Sequence, residues 1–164
     1  MIFGMTILTF VHVALSLIGI ATGWIVMLGL LTGKRLDGWT AVFLLTTILT
    51  SATGFLFPFH RLLPSHILGI ISLVALAIAL VARYGRHLAG AWRRIYVITA
   101  VLALYLNMFV LVFQAFLKIP SIKALAPTQS EPPFLVAQLA VLALFLVLGI
   151  FAAIKFRPEA VSPA

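Results

Sequence analysis

The chain has 164 residues, 64% of them hydrophobic and 9% charged, against roughly one-quarter charged in soluble domains. That balance excludes a soluble globular enzyme and predicts an all-α, polytopic transmembrane bundle, because the apolar runs are about 20 residues long and lack the alternation of barrel strands. The net charge is +8 with no cysteine, which excludes disulfides, thiolate-held iron–sulfur clusters and thiol catalysis, while the basic residues lie between apolar segments as topology signals and lipid-headgroup contacts, so nucleic acid is not an expected partner.

Five apolar segments, residues 7–31, 39–57, 67–82, 95–116 and 134–154, predict five transmembrane helices in a single domain, residues 1–164. The N-terminal stretch MIFGMTILTFVHVALSLIG lacks a basic n-region and a small-residue cleavage site, so it reads as a retained first span rather than a signal peptide. Lys34, Arg35, Arg83, Arg86, Arg93, Arg94, Lys155 and Arg157 fall on one side of this topology, and Arg61, Lys118 and Lys123 on the other. The positive-inside rule then puts the N-terminus outside and the C-terminus in the cytoplasm.

The first segment carries His12, Ser16, Gly19 and Gly23 on one face, and the two glycines form a small-xxx-small pair that permits close helix approach. GKRLDG, residues 33–38, is a short polar turn. The second segment contains TTILTSATG, whose hydroxyls can bond back to the preceding turn or across to a neighbouring helix. It ends in FPFHRLLPSH, where two prolines bracket a loop with His60, Arg61 and His66. The inner loop RYGRHLAGAWRR is strongly basic and reads as an anchor touching anionic lipid.

In the fourth segment Tyr96, Thr99, Ala103, Asn107, Val110, Gln114 and Lys118 recur at helical spacing and form one polar stripe. Asn107 lies near mid-depth, where a bond to a threonine of the second segment would satisfy its amide. Residues 118–133, with four prolines in KIPSIKALAPTQSEPPF, predict an ordered outer cap over the bundle mouth, anchored by Ile122, Leu125 and Phe134. The fifth segment enters with Gln138 one turn inside.

Counting back from Leu31 at 1.5 Å per residue, a ~30 Å hydrocarbon core ends near His12. His60, His66, Gln114 and Gln138 come to the same outer level, so histidines and amides converge on one side of the membrane. Three readings follow. One is a haem b or a transition metal held by His12 and His66, since neutral imidazole is the commonest metal ligand; His60, Asn107, Gln114 and Gln138 would complete the cofactor pocket, and Glu131 would orient a histidine. Another is a pocket for a quinone or other amphipathic molecule, with Phe55, Phe57, Phe59 and Phe116 as walls. A purely structural role for the same side chains is the third.

The functional expectation is a haem- or metal-binding electron-transfer membrane protein. The alternative is a non-catalytic accessory or scaffold subunit of a larger membrane complex, or a homo-oligomer joined through Gly19 and Gly23. A quinone site or a small transporter lined by the second segment comes third. The chain shows no hydrolase triad, phosphate loop or zinc-binding H-E-x-x-H.

LYLNMFVLVFQAFLKIPSIKALAPTQSEPPFLVAQL, residues 104–139, resembles a set of small uncharacterised bacterial integral-membrane proteins that carry a similar asparagine, glutamine, lysine-proline and APTQSEPPF pattern. The resemblance implies residence in the bacterial inner membrane and no particular activity.

Overall fold

A backbone in hydrocarbon has no water to bond, and this chain satisfies its polar groups within helices. The computed structural model describes residues 5–58 and 64–157, and among them no β-strand forms. In chain order the helices are α1 (Ile7–Thr32), α2 (Asp37–Gly54), α3 (Pro64–Leu80), α4 (Trp92–Lys118), the single turn α5 (Pro120–Lys123) and α6 (Pro132–Lys155), with a π turn (Val81–Gly85) prolonging α3.

Four of these stretches are long and apolar enough to cross a membrane: Ile7–Thr32, Pro64–Gly85, Trp92–Lys118 and Pro132–Lys155. They mark a membrane-embedded protein. α2, expected as a fifth span, is not among the four. It has 18 residues, and Asp37 together with the hydroxyls of Thr40, Thr46, Thr47, Thr50, Ser51 and Thr53 dilutes its apolar character.

Local chemistry sets the helix ends. Thr6 caps α1 by accepting from the Thr9 amide at 3.2 Å, and Gly33, at φ 73°, turns the chain out of it. α2 stops at Gly54, three residues short of the expected end, and the chain from Phe55 to Pro58 leaves the helix. α3 begins earlier than expected, at Pro64, whose missing N–H costs nothing in a first turn. α4 and α6 run past their apolar limits because the flanking Arg93, Arg94, Lys118 and Lys155 are themselves helical.

α4 is the hub, packing against α1, α3 and α6, while α2 sits between α1 and α3. Close approach at Gly23 makes this possible: a Cβ there would fall 2.5 Å from Leu104 Cδ1 and 2.9 Å from Phe43 Cε2. A Cβ on Gly19 would lie 3.1 Å from Thr47 Oγ1. The glycine face therefore joins α1 to α2 and α4 within one chain.

Two ends of the bundle can be distinguished. At one lie Lys34, Arg35, Arg83, Arg86, Arg93, Arg94, Lys155 and Arg157, drawn together by contacts such as Arg83 with Asp37 and Arg93 with the Phe156 carbonyl. Arg83 was grouped with the lipid-facing loop residues, yet it is 1% exposed. The π turn directs it inward, where it donates to the Asp37 carboxylate and the Arg35 carbonyl and stacks 5.2 Å from the Tyr96 ring centroid. Arg93 binds the orphan carbonyls of Ala153 and Phe156 at the end of α6.

At the opposite end, the segment expected to cap the bundle mouth packs elsewhere. α5 rests on α4, and Ala126, fully buried, joins Phe116 and Phe134 in an apolar cluster flanked by Ile122. Leu125 points away and is exposed. The segment thus covers the junction of α4 with α6, because that is where the two phenylalanines offer apolar surface to bury.

Candidate functional site

Where α2 stops, α1, α3 and α4 continue and enclose a cavity of about 580 Å³. Thr9, His12, Ser16 and Ile20 face it from α1, Ser65, His66 and Ser72 from α3, and Asn107, Gln114 and Lys118 from α4, with Thr50 to Pro58 closing the remaining side. The walls between these polar groups are Val13, Leu17, Leu68, Leu106, Val110 and Leu111. The cavity reaches no deeper than Ile20, Thr50, Ser72 and Leu106. Below that level Phe43, Leu44, Leu76 and Leu104 are buried.

Two aromatic side chains hold the two imidazoles. The Phe57 ring meets His12 edge-on at 5.3 Å between centroids, and Phe55 lies 5.6 Å from His66. Both phenylalanines follow Gly54 in the segment that leaves α2, so the same break that opens the cavity furnishes its aromatic wall. Gly69 gives Phe55 its place, since a Cβ there would stand 3.1 Å from the ring.

His12 Nδ1 lies 2.9 Å from Thr53 Oγ1, and the same hydroxyl lies 2.8 Å from the Leu49 carbonyl. The ring donates to that oxygen or accepts from it according to its tautomer, and in either form the bond ties α1 to the end of α2.

Deeper in, Asn107 Nδ2 donates to Thr47 Oγ1 at 3.4 Å, joining α4 to α2 as expected, and Ser51 donates to Ser72 at 3.2 Å. Thr50 Oγ1, buried on the cavity wall, has no hydrogen-bond partner among the described residues.

Of the side chains singled out in the sequence, His12, His66, Asn107 and Gln114 line one cavity. His66 is buried, Gln114 is exposed at the rim, and Lys118, one turn beyond it, completes that edge. Gln138 does not belong to the site: its Nε2 donates to the Phe109 carbonyl at 3.1 Å, which ties α6 to α4. Glu131 is held by its own neighbours among the described residues. It accepts from the Thr128 hydroxyl at 2.8 Å and from the Thr128 and Ser130 amides. His60 and Phe59 lie outside the described residues. Phe116 belongs to the cluster under α5 and not to the cavity wall.

Compared with models of protein families, with curated proteins and with solved structures, the chain finds no match.

Among the described residues, no three histidine, aspartate or glutamate side chains converge to hold a metal ion. His12 and His66 both line the one cavity. The partners that sequence reasoning missed are Thr53, which orients His12 from 41 positions away, and Ser72, which holds Ser51. Their only signal in the sequence is a hydroxyl near the matching depth.

Proposed function

We propose that the chain is a multi-pass membrane protein that binds an amphipathic small molecule in this cavity. The polar head rests against His12, Asn107 and Gln114, and the tail runs along Val13, Leu17, Leu106 and Leu111 towards the lipid. In this reading all five long helices cross the membrane, α2 included, with the N-terminus outside, and the site opens to the outer leaflet of a bacterial inner membrane. Eighteen residues in α2 span roughly 27 Å at the α-helical rise, and its threonines bond to their own turns and to α1 and α4, which supports α2 as a span within the bundle.

The observation that carries the proposal is the cavity itself. Its volume of about 580 Å³ falls within the ~300–1,000 Å³ of small-molecule sites, and a few polar groups on mostly apolar walls are the usual lining of such sites. A quinone is one occupant of this class, its carbonyls accepting from the Gln114 amide or the Lys118 ammonium.

The test is to purify the full chain in mild neutral detergent, extract what accompanies it and identify it by mass spectrometry. An amphiphile in stoichiometric amount is expected, and Val110→Trp, which fills the cavity, should lose it. A preparation that carries none, and whose melting temperature ignores added amphiphiles, would sink the proposal.

A second reading is a haem b between His12 and His66 with electron transfer as its role, because both imidazoles line the one cavity and neutral imidazole is a haem ligand. The visible spectrum separates the two. Reduced-minus-oxidised haem bands that vanish in both His12→Ala and His66→Ala would establish the haem, and a colourless protein loaded with an amphiphile would remove it.

A further inference from the structure

The cavity's polar lining has one sign of charge. Its ionisable side chains are His12, His66 and Lys118. The whole chain has three acidic residues, Asp37, Glu131 and Glu159. Asp37 is at the far end with Arg83, and Glu131 is bound by Thr128 and Ser130 away from the cavity. Neither residues 1–36 nor residues 38–130 contain an aspartate or glutamate. No part of α1, α3 or α4, nor of α2 beyond its first residue, can therefore place a carboxylate beside a ligand. Lys118, on the rim, makes no ion pair among the described residues. A cation at the rim of an apolar cavity attracts negative charge more strongly than it would in bulk water, by an amount that solvent screening limits because Lys118 is exposed.

We infer that the head group received here is anionic, a carboxylate or a phosphate monoester, paired with Lys118 at the rim and hydrogen-bonded by Gln114 and His12 further in. The inference rests on the cavity being a ligand site and narrows what that ligand is. Lys118 and Gln114, four apart on α4, present an ammonium and an amide side by side to such a group. A fatty acid and a lipid phosphate share this chemistry and differ in the head atoms that Gln114 and His12 must meet.

The test uses four amphiphiles with one saturated chain in common, bearing a carboxylate, a phosphate monoester, a primary alcohol or an ammonium. Their binding to the purified full chain in neutral detergent is measured by calorimetry. At least one anion should bind about tenfold tighter than the alcohol, the scale of one hydrogen bond to a charged group, and the ammonium most weakly. The tighter of the two anions identifies the source, acyl acid or lipid phosphate. Lys118→Gln should bring the anions level with the alcohol. Lys123→Gln, at the same end but outside the cavity, should leave the preference intact. An alcohol that binds as tightly as either anion, or a preference that survives Lys118→Gln, overturns the anionic head while leaving the cavity a ligand site. Binding of none of the four overturns both readings.

Discussion

The arginine end and the cavity end handle polar groups in opposite ways. At the arginine end, the most deeply buried cation, Arg83, is closed in by the Asp37 carboxylate, the Arg35 carbonyl and the Tyr96 ring, with packed side chains on every side. At the cavity end His12, Asn107, Gln114 and Lys118 border open space. Burying a charge is costly unless it is paired, so the first arrangement serves the fold; Arg83 Nε and Nη1 and the Tyr96 hydroxyl have no partner among the described residues, but they are buried in packing and do not border a cavity. The second leaves hydrogen-bonding capacity turned towards a void. Eight basic residues at one end therefore say less about function than one lysine at the other.

This contrast can be broken most easily where packing is tightest. Gly23→Val would drive a side chain into Leu104 and Phe43, and overpacking of this kind should cost about 3 kcal/mol in thermal unfolding in detergent. A Gly23→Val protein as stable as the parent would mean that this half is as loose as the cavity half. Asp37→Asn comes next. It deprives a fully buried guanidinium of its counter-ion, and because the Asp37 side chain is 67% exposed, solvent screening should hold the loss to about 2 kcal/mol, below the usual cost of breaking a buried pair.

Changes at the cavity end should cost less. Thr53→Val removes the hydroxyl bonded to His12 Nδ1 and should lower stability by about 1 kcal/mol. The nitrogen-15 signal of His12 Nδ1 should then shift, while that of His66 should not. Gly54→Ala sharpens the comparison further. Its Cβ would meet only His12 Cε1, at 3.7 Å, so it should raise stability by roughly 0.5 kcal/mol, through a less flexible unfolded chain.

The smallest effect is expected at Glu131. Hydrogen bonds from the Thr128 hydroxyl, and then from the Thr128 and Ser130 amides, hold its carboxyl below the usual carboxylate range. With the folded pKa below the unfolded one, its contribution is present above the unfolded value and lost as the pH falls through the folded value. Protection of the Thr128 and Ser130 amides, measured against intrinsic exchange at the same pH, should therefore fall in acid, and in Glu131→Gln it should be low at every pH.

Much of this architecture was legible in the residues. The apolar runs located the helices, and the stripe from Tyr96 to Lys118 pointed to α4 as the element facing the others. Asn107 met a threonine of α2, as its depth required. Other assignments failed for one reason, that equal depth does not mean equal direction. Gln138 sits at the level of the cavity but turns to the Phe109 carbonyl. The proline-rich segment lies at the mouth but leans on Phe116 and Phe134. Arg83 reads as a loop cation until one notices that it continues the face of Leu76 and Ala79, both fully buried.

What the amino-acid sequence determined by itself was a set of long apolar helices, the clustering of cations at one end, and the absence of any carboxylate from residue 38 to residue 130. These follow from local backbone hydrogen bonding and from composition, which need no partner. Only the tertiary structure decided that α2 ends early enough to leave a cavity, that Thr53 bonds His12, and that the glycine pair is used inside the chain. Each depends on how far one helix is rotated and slid against another, and that is settled by side chains distant in the sequence meeting at van der Waals contact.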